Sequence, residues 1–503
     1  MKKIICRLFT LVLAMLIVAT SLVACGGGGN PANSSTDIEI YLWKSGVGDQ
    51  FLKDIIAGFE KKHPEYNVML EAKSNGDYIN TMLPLGPDQN SIDLFFVSKG
   101  SDYEKYCATL DDVLASKNEG ESKTIGEKIG NDRLQYFVSK DGKYYSLSYY
   151  GGFGFLCYNA DIIDGVRYDV PKTTNELYTL AMDLYSDGIT PFIHFIDGGY
   201  WQFLYKVWRA QYFGVENCID LAVNPTLEKV TDDGIGIKQV FETLEQLISS
   251  SGMVYNGSNS IDFTSAQTLF IEGKAAMMAN GSWMENEMRE NYAEGSKNFA
   301  TMKTPVISAI RDLCTTIESD AELSALVTAI DENFSDLIGA GYNVSQADYD
   351  RVYAARNLMF NNFDAHTICI PKYSTAIDGA KEFLKYFFSD EAMLIYCDAV
   401  HSKPQADFSN EVTVDTSSWS KWAKQQDVLY KDVKNYIDTV VNTSIIYSAG
   451  GLNLYGEYDR KVIKFLSNNN PADKKTANQM WNAIKALHNE KWTTYLRNAG
   501  LEG

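Results

Sequence analysis

The chain has 503 residues, 45% of them apolar and 22% charged, and its 65 Asp and Glu against 45 Lys and Arg give a formal net charge of −20. A chain of this size buries about 75% of its unfolded surface, which excludes a small stapled scaffold, and its composition is that of an ordinary globular protein. The acidity excludes a nucleic-acid binder, which needs a basic footprint, while 13% aromatic residues leave rings available for a ligand site.

Lys2, Lys3 and Arg7 precede an apolar run from Leu8 to Ala19, which closes on Leu22-Val23-Ala24-Cys25 and four glycines. Residues 1–24 are expected to be an export signal, since the run is shorter than the roughly 20 residues of a spanning helix. Leu-Val-Ala-Cys resembles the bacterial lipobox, whose cysteine takes a diacylglycerol and becomes the mature N-terminus. Cys25 is therefore expected to tether the chain to the membrane, where two acyl chains suffice. The alternative is an ordinary secretory signal with an incidental cysteine. Loss of Lys2, Lys3 and Arg7 takes the net charge from −20 to −23. Residues 25–37, rich in Gly, Asn and Ser, read as a flexible leash.

Ile38 to Trp43 alternates as a strand does. Phe51, Leu52, Ile55, Ile56 and Phe59 recur at helical spacing up to His63-Pro64. Val68–Leu70 starts a second strand, and Ile92–Val97 reads as a buried parallel strand. Strands alternating with helices predict a doubly wound α/β lobe. Tyr144–Leu147 and Gly152–Tyr158 are extended. Thr173-x-x-Glu176 reads as a capping box for a helix through Leu184, ended by Gly188. A helix follows near Trp201–Tyr212, then helix-turn-strand over Phe270–Met278. Residues 307–363 read as almost purely helical, Thr367–Ile370 returns to strand, and the last hundred residues read as helical. Cys107, Cys157, Cys218, Cys314, Cys369 and Cys397 lack metal-ligand spacing, and both free thiols and two or three disulfides stay open. There is no H-E-x-x-H, G-x-S-x-G or phosphate-binding glycine loop, and the five histidines are isolated.

Phe270-Ile271-Glu272-Gly273-Lys274-Ala275-Ala276-Met277, with Gly281-Ser282-Trp283 behind it, is joined by Asp141-Gly142-Lys143 with Tyr158-Asn159-Ala160-Asp161. Pro171 to Leu177, Phe59 to Val68 and Lys381 to Glu391 complete a set of five blocks in order. Together they resemble the extracellular solute-binding protein family 1, of maltose- and multiple-sugar-binding type. The resemblance implies a two-lobed, type II periplasmic-binding-protein-like α/β fold with a hinge and an interlobe ligand cleft. It places the N-terminal lobe in residues 38–148 and 307–402, with a helical insertion at about 307–363. Residues 149–306 and 403–503 form the C-terminal lobe, and crossings are expected near 148–151 and 302–307.

It also implies a carbohydrate ligand, most simply an oligosaccharide, and as partner the transmembrane permease subunits of an ABC importer. A monomer without cofactor or metal is expected, and no enzymatic activity. A sugar's flat C–H faces and hydroxyl rim call for aromatic plates and polar groups. Position then selects Trp43 at the end of the first strand, Asn75 and Asp77 after the second, Tyr149 and Tyr150 at the crossing, Asp197 and Trp201 at a helix entry, and Trp283 from the Gly-x-Trp block. Core or turn roles are the alternatives for each. A non-sugar solute and a surface glycoside hydrolase with paired carboxylates are the competing functions.

Overall fold

The computed structural model describes residues 35–289, 291–293, 295–332, 343–431, 433–436, 444–468 and 470–501. The expected signal, Cys25 and most of the leash lie outside the described residues, as do positions 333–342 of the expected helical insertion. The strands are β1 (Asp37–Trp43), β2 (Asn67–Lys73), β3 (Leu94–Ser98), β4 (Leu147–Ser148), β5 (Phe153–Asn159), β6 (Phe192–Ile193), β7 (Met277–Gly281), β8 (Phe299–Met302), β9 (Leu358–Asn361), β10 (His366–Cys369) and β11 (Lys434–Tyr436).

They form two sheets. The first runs β2-β1-β3-β10-β4, with β1 parallel to β2 and β3 and with β10 antiparallel to both of its neighbours. Alternation sorts its side chains onto two buried faces. Ile38, Ile40, Leu42, Leu94 and Phe96 pack with the helix Gln50–Lys62 on one. Tyr41, Phe95 and Val97 pack on the other. Burial on both faces is why β3 reads as a continuous apolar run. The second sheet runs β11-β9-β5-β7-β6, with β8 also on β5. Leu156, Met277 and Ala279 face a large helical core, and Phe155, Cys157 and Met278 face a smaller one.

The helix Thr174–Ser186 starts where Thr173 accepts a hydrogen bond from the Glu176 amide. Glu176 takes the Lys172 amide at 2.7 Å instead of closing the reciprocal half of a capping box. Gly188, at φ 79°, ends the segment.

The helical insertion packs in the second lobe, contrary to the expectation that it belongs to the first. Ile307, Ile310, Leu323, Leu326 and Val352 share one core with Trp208, Trp481 and Ile484. The reason is β9, which interrupts the supposed helical tract and pairs antiparallel with β5. Val306 is likewise tied to the second lobe by its bonds to Lys172 and Thr174, at 2.8 and 2.9 Å. The return crossing therefore lies at residues 362–365, not at 302–307.

The outward crossing, residues 149–152, leads from β4 to β5. A third, residues 401–420, leads from the helix Asp390–Val400 to the helix Lys421–Leu429. The three meet at Gly151 and Gly152. Gln405 Nε2 donates to the Gly151 carbonyl at 3.2 Å, and Asn362 Oδ1 accepts from the Gly152 amide at 2.7 Å. Neither glycine has positive φ. A Cβ at Gly151 would strike Gln405 and Asn361, and one at Gly152 would strike the Trp283 ring. Close approach, more than backbone freedom, accounts for the pair.

Candidate ligand site between the lobes

Strand β1 delivers Trp43 to the edge of the first lobe that faces the second, and the loop to Gln50 continues along that edge. A cavity of about 1010 Å³ opens between the lobes there. Its first wall runs from Trp43 to Gln50, with Ser74 and His366, and Tyr150 and Asn362 come from the crossings. Tyr200, Phe203, Phe263, Gln267, Trp283 and Glu287 line the opposite wall.

Trp43, half-buried, stacks on His366 with ring centroids 4.8 Å apart and planes 8° apart. Gly76 approaches its indole so closely that a Cβ would lie 2.8 Å from Cδ2. His366 is held edge-on by Tyr150 at 4.9 Å and Tyr149 at 5.6 Å. Burial pulls its pKa down to about 3, so near neutrality it is an uncharged ring. It acts as a flat support for the indole.

Trp283 begins the short helix Met284–Glu287. Its ring lies against Gly281 and Gly152, where any Cβ would collide with it. Tyr200 and Phe203 meet its face or edge near right angles, with centroids at 5.5 and 5.8 Å. The Gly-x-Trp spacing thus has a local cause: Gly281 clears the room the indole of Trp283 occupies.

Glu287 lies one turn on, its amide bonded to the Trp283 carbonyl at 2.9 Å. Gln267 Nε2 donates to Glu287 Oε2 at 2.7 Å. Oε1 faces Gly46 of the first lobe, where a Cβ would come within 2.9 Å, so the lobes touch here. Burial lifts the Glu287 carboxyl from 4.5 to about 7, against the Gln267 bond, which pulls it down. Lys44 and Arg289 with Asp49 and Glu287 bring both signs of charge to the cavity wall. Gln267 Oε1 and Ser45 Oγ are buried there without a hydrogen-bond partner among the described residues.

Trp43, Tyr150 and Trp283 thus meet at one cavity, and the other expected site residues do not line it. Trp201 is fully buried in the second-lobe core, edge-on to Phe192 at 5.3 Å. Tyr149 lies under His366 in the first-lobe core, 2% exposed. Asn75 and Asp77 form a turn, with the Asp77 amide donating to Asn75 Oδ1 at 3.1 Å and Ser98 Oγ donating to Asp77 at 3.0 Å. Asp197, at φ 62°, pairs with Lys464 at 2.6 Å. Tyr200, Phe203, Gln267, Glu287 and His366 were not expected from sequence. Glu287 had a signal, since it follows Trp283 by four residues on one helix face.

Residues 43–394 match the family described as bacterial extracellular solute-binding protein. The chain belongs to that family. Its members are binding proteins that act outside the cytoplasm. The galactooligosaccharide-binding protein of Bacillus subtilis (strain 168) is 24% identical to this solute-binding protein over 305 residues, 60% of this chain and 67% of that one. Among solved structures, the bacterial solute receptor AcbH, described as exclusive for β-D-galactopyranose, superposes with a TM-score of 0.60 at 16% identity, covering 91% of this chain and 99% of that one. RafE in complex with raffinose gives 0.58 at 15%, with 91% and 99% covered. At such identity these structures establish the two-lobed fold of the solute-binding protein, and the lining of its cleft is read from its own residues. No helix among the described residues is long and apolar enough to cross a membrane.

Proposed function

We propose that this solute-binding protein captures a neutral oligosaccharide between its lobes and delivers it unaltered to the transmembrane subunits of an ABC importer. The observation that carries the reading is the interlobe cavity itself: indoles from both walls, Trp43 and Trp283, with charges of both signs and neutral polar groups between them. Rings stack on the apolar faces of a sugar, while Gln267, Ser45 and Asn362 suit its hydroxyls. A micromolar complex needs roughly 8 kcal/mol, within reach of two stacked rings and a few hydrogen bonds after the cost of closure. The galacto-oligosaccharide named for the Bacillus subtilis relative supports this ligand class. A lipid on Cys25 would hold the protein at the permease and raise its local concentration there.

A thermal-shift panel tests the ligand class, because a solute that binds only the folded form raises the melting temperature. Neutral galactosyl and glucosyl oligosaccharides are expected to raise it, while polyamines, phosphate and metal ions leave it unmoved. A rise with one of the latter alone refutes the carbohydrate assignment. Release of shortened products from the stabilising oligosaccharide refutes delivery of an intact ligand.

A further inference from the structure

The first lobe is assembled from two distant stretches of chain, and where they meet two thiols come together. Cys107 stands opposite Pro371 in an antiparallel bridge. The bridge is framed by hydrogen bonds from the Ala108 amide to the Ile370 carbonyl at 2.8 Å and from the Lys372 amide to the Tyr106 carbonyl at 2.9 Å. In that register Cys369, two residues before Pro371 on β10, points to the same face as Cys107, as the diagonal neighbour of a cross-strand pair. Both side chains are fully buried in one cluster with Tyr41, Phe95 and Val97. Both are free thiols in the structure, and the Cys107 thiol acts electrostatically on that of Cys369. The other cysteines of the fold differ: Cys157, Cys218, Cys314 and Cys397 belong to four separate clusters.

We propose that Cys107 and Cys369 are a disulfide-forming pair, a redox modification site that joins the two stretches of the first lobe. Extracellular placement favours oxidation, and membership of an extracellular family supplies that setting. Each thiol releases its proton, and together they pass two electrons to a disulfide-bearing oxidant, such as a protein thiol oxidase or oxidised glutathione. One S–S bond forms in the protein, one breaks in the oxidant, and the oxidant leaves as two thiols. Burial raises the Cys369 thiol well above its ordinary range, and thiolate is the attacking form. The bond therefore forms as the exported chain folds, before the cluster closes over it. A bridge across so long a stretch of chain restrains the unfolded state strongly.

The test is cysteine mapping of the full chain, secreted into a compartment with a thiol oxidase and never reduced. The protein is denatured, alkylated and digested without reductant. Cys157, Cys218, Cys314 and Cys397 are expected to carry the label, with Cys107 and Cys369 recovered in one cross-linked peptide that reductant splits. Full labelling of Cys107 and Cys369 overturns the proposal. So does a glutathione adduct on either, or pairing of either with another cysteine. In Cys107→Ser, Cys369 is expected to become labelled, and a failure of that variant to fold leaves the wild-type map decisive.

Discussion

Two indoles on facing walls have different surroundings and so different expected mutant behaviour. Trp43 is half-buried on the His366 plate at the cavity edge. Trp43→Ala is expected to weaken oligosaccharide binding about tenfold or more, roughly 1.4 kcal/mol, while the melting temperature falls only slightly. Trp283 is 6% exposed, packed on glycines and against the stacked Tyr200–Phe203 pair. Trp283→Ala should therefore lose affinity and also about 3–5 kcal/mol of stability, the range for emptying an aromatic core position; denaturant titration separates the two, and an unchanged midpoint refutes this packing. Glu287 gives a pH signature. Its carboxyl sits at about 7 in the folded protein against 4.5 ordinarily, so between those values the folded state holds a proton that the unfolded state has released. The folded state binds more protons there, and stability falls as pH rises across the window. Glu287→Gln is expected to flatten that decline in melts recorded from about pH 5 to about pH 8. An equal slope in both proteins removes the carboxylate from a buried contact with Gly46.

At the scale of elements, an ion pair ties two helices of the insertion together, and Lys303, just after β8, joins them to the second lobe. Arg356, 6% exposed, donates to Asp331 at 3.0 and 2.7 Å, and Lys303 reaches the same carboxylate at 3.3 Å. Arg356 is buried and Asp331 only partly so, and removing the carboxylate strands the guanidinium, so Asp331→Ala is expected to cost about 2–3 kcal/mol, below the range for a fully buried pair. Denaturant titration checks this, and a loss under 1 kcal/mol places the pair effectively in solvent. The sequence was legible where local pattern and burial agree. Phe51, Leu52, Ile55, Ile56 and Phe59 are all buried along the helix Gln50–Lys62, and β1 and β3 follow their apolar runs. It was illegible at β9, where Leu358-Met359-Phe360-Asn361 is too short for period to separate strand from helix. Only nonlocal pairing with β5 and β11 decides it. The lobe that owns the insertion follows from β9, and so was misplaced with it. In the site, aromatic type was readable but facing was not. Within Tyr200-Trp201-Gln202-Phe203, helical rotation turns Trp201 into the core and Tyr200 and Phe203 to the cavity.

For the whole molecule, two sheets joined by three crossings suit hinge closure about residues 149–152, 362–365 and 401–420. Gly46 and Glu287 meet across the gap, so a bound solute is enclosed from both sides. Small-angle scattering is expected to show a smaller radius of gyration on saturation with oligosaccharide, and an unchanged envelope argues for a rigid receptor. The most direct measurement is calorimetric titration of neutral oligosaccharides into the full chain and into Trp43→Ala. Micromolar binding of at least one oligosaccharide, weakened tenfold or more by the substitution, is the expected result. Heat from no oligosaccharide, or equal affinity in both proteins, contradicts carbohydrate capture in this cleft.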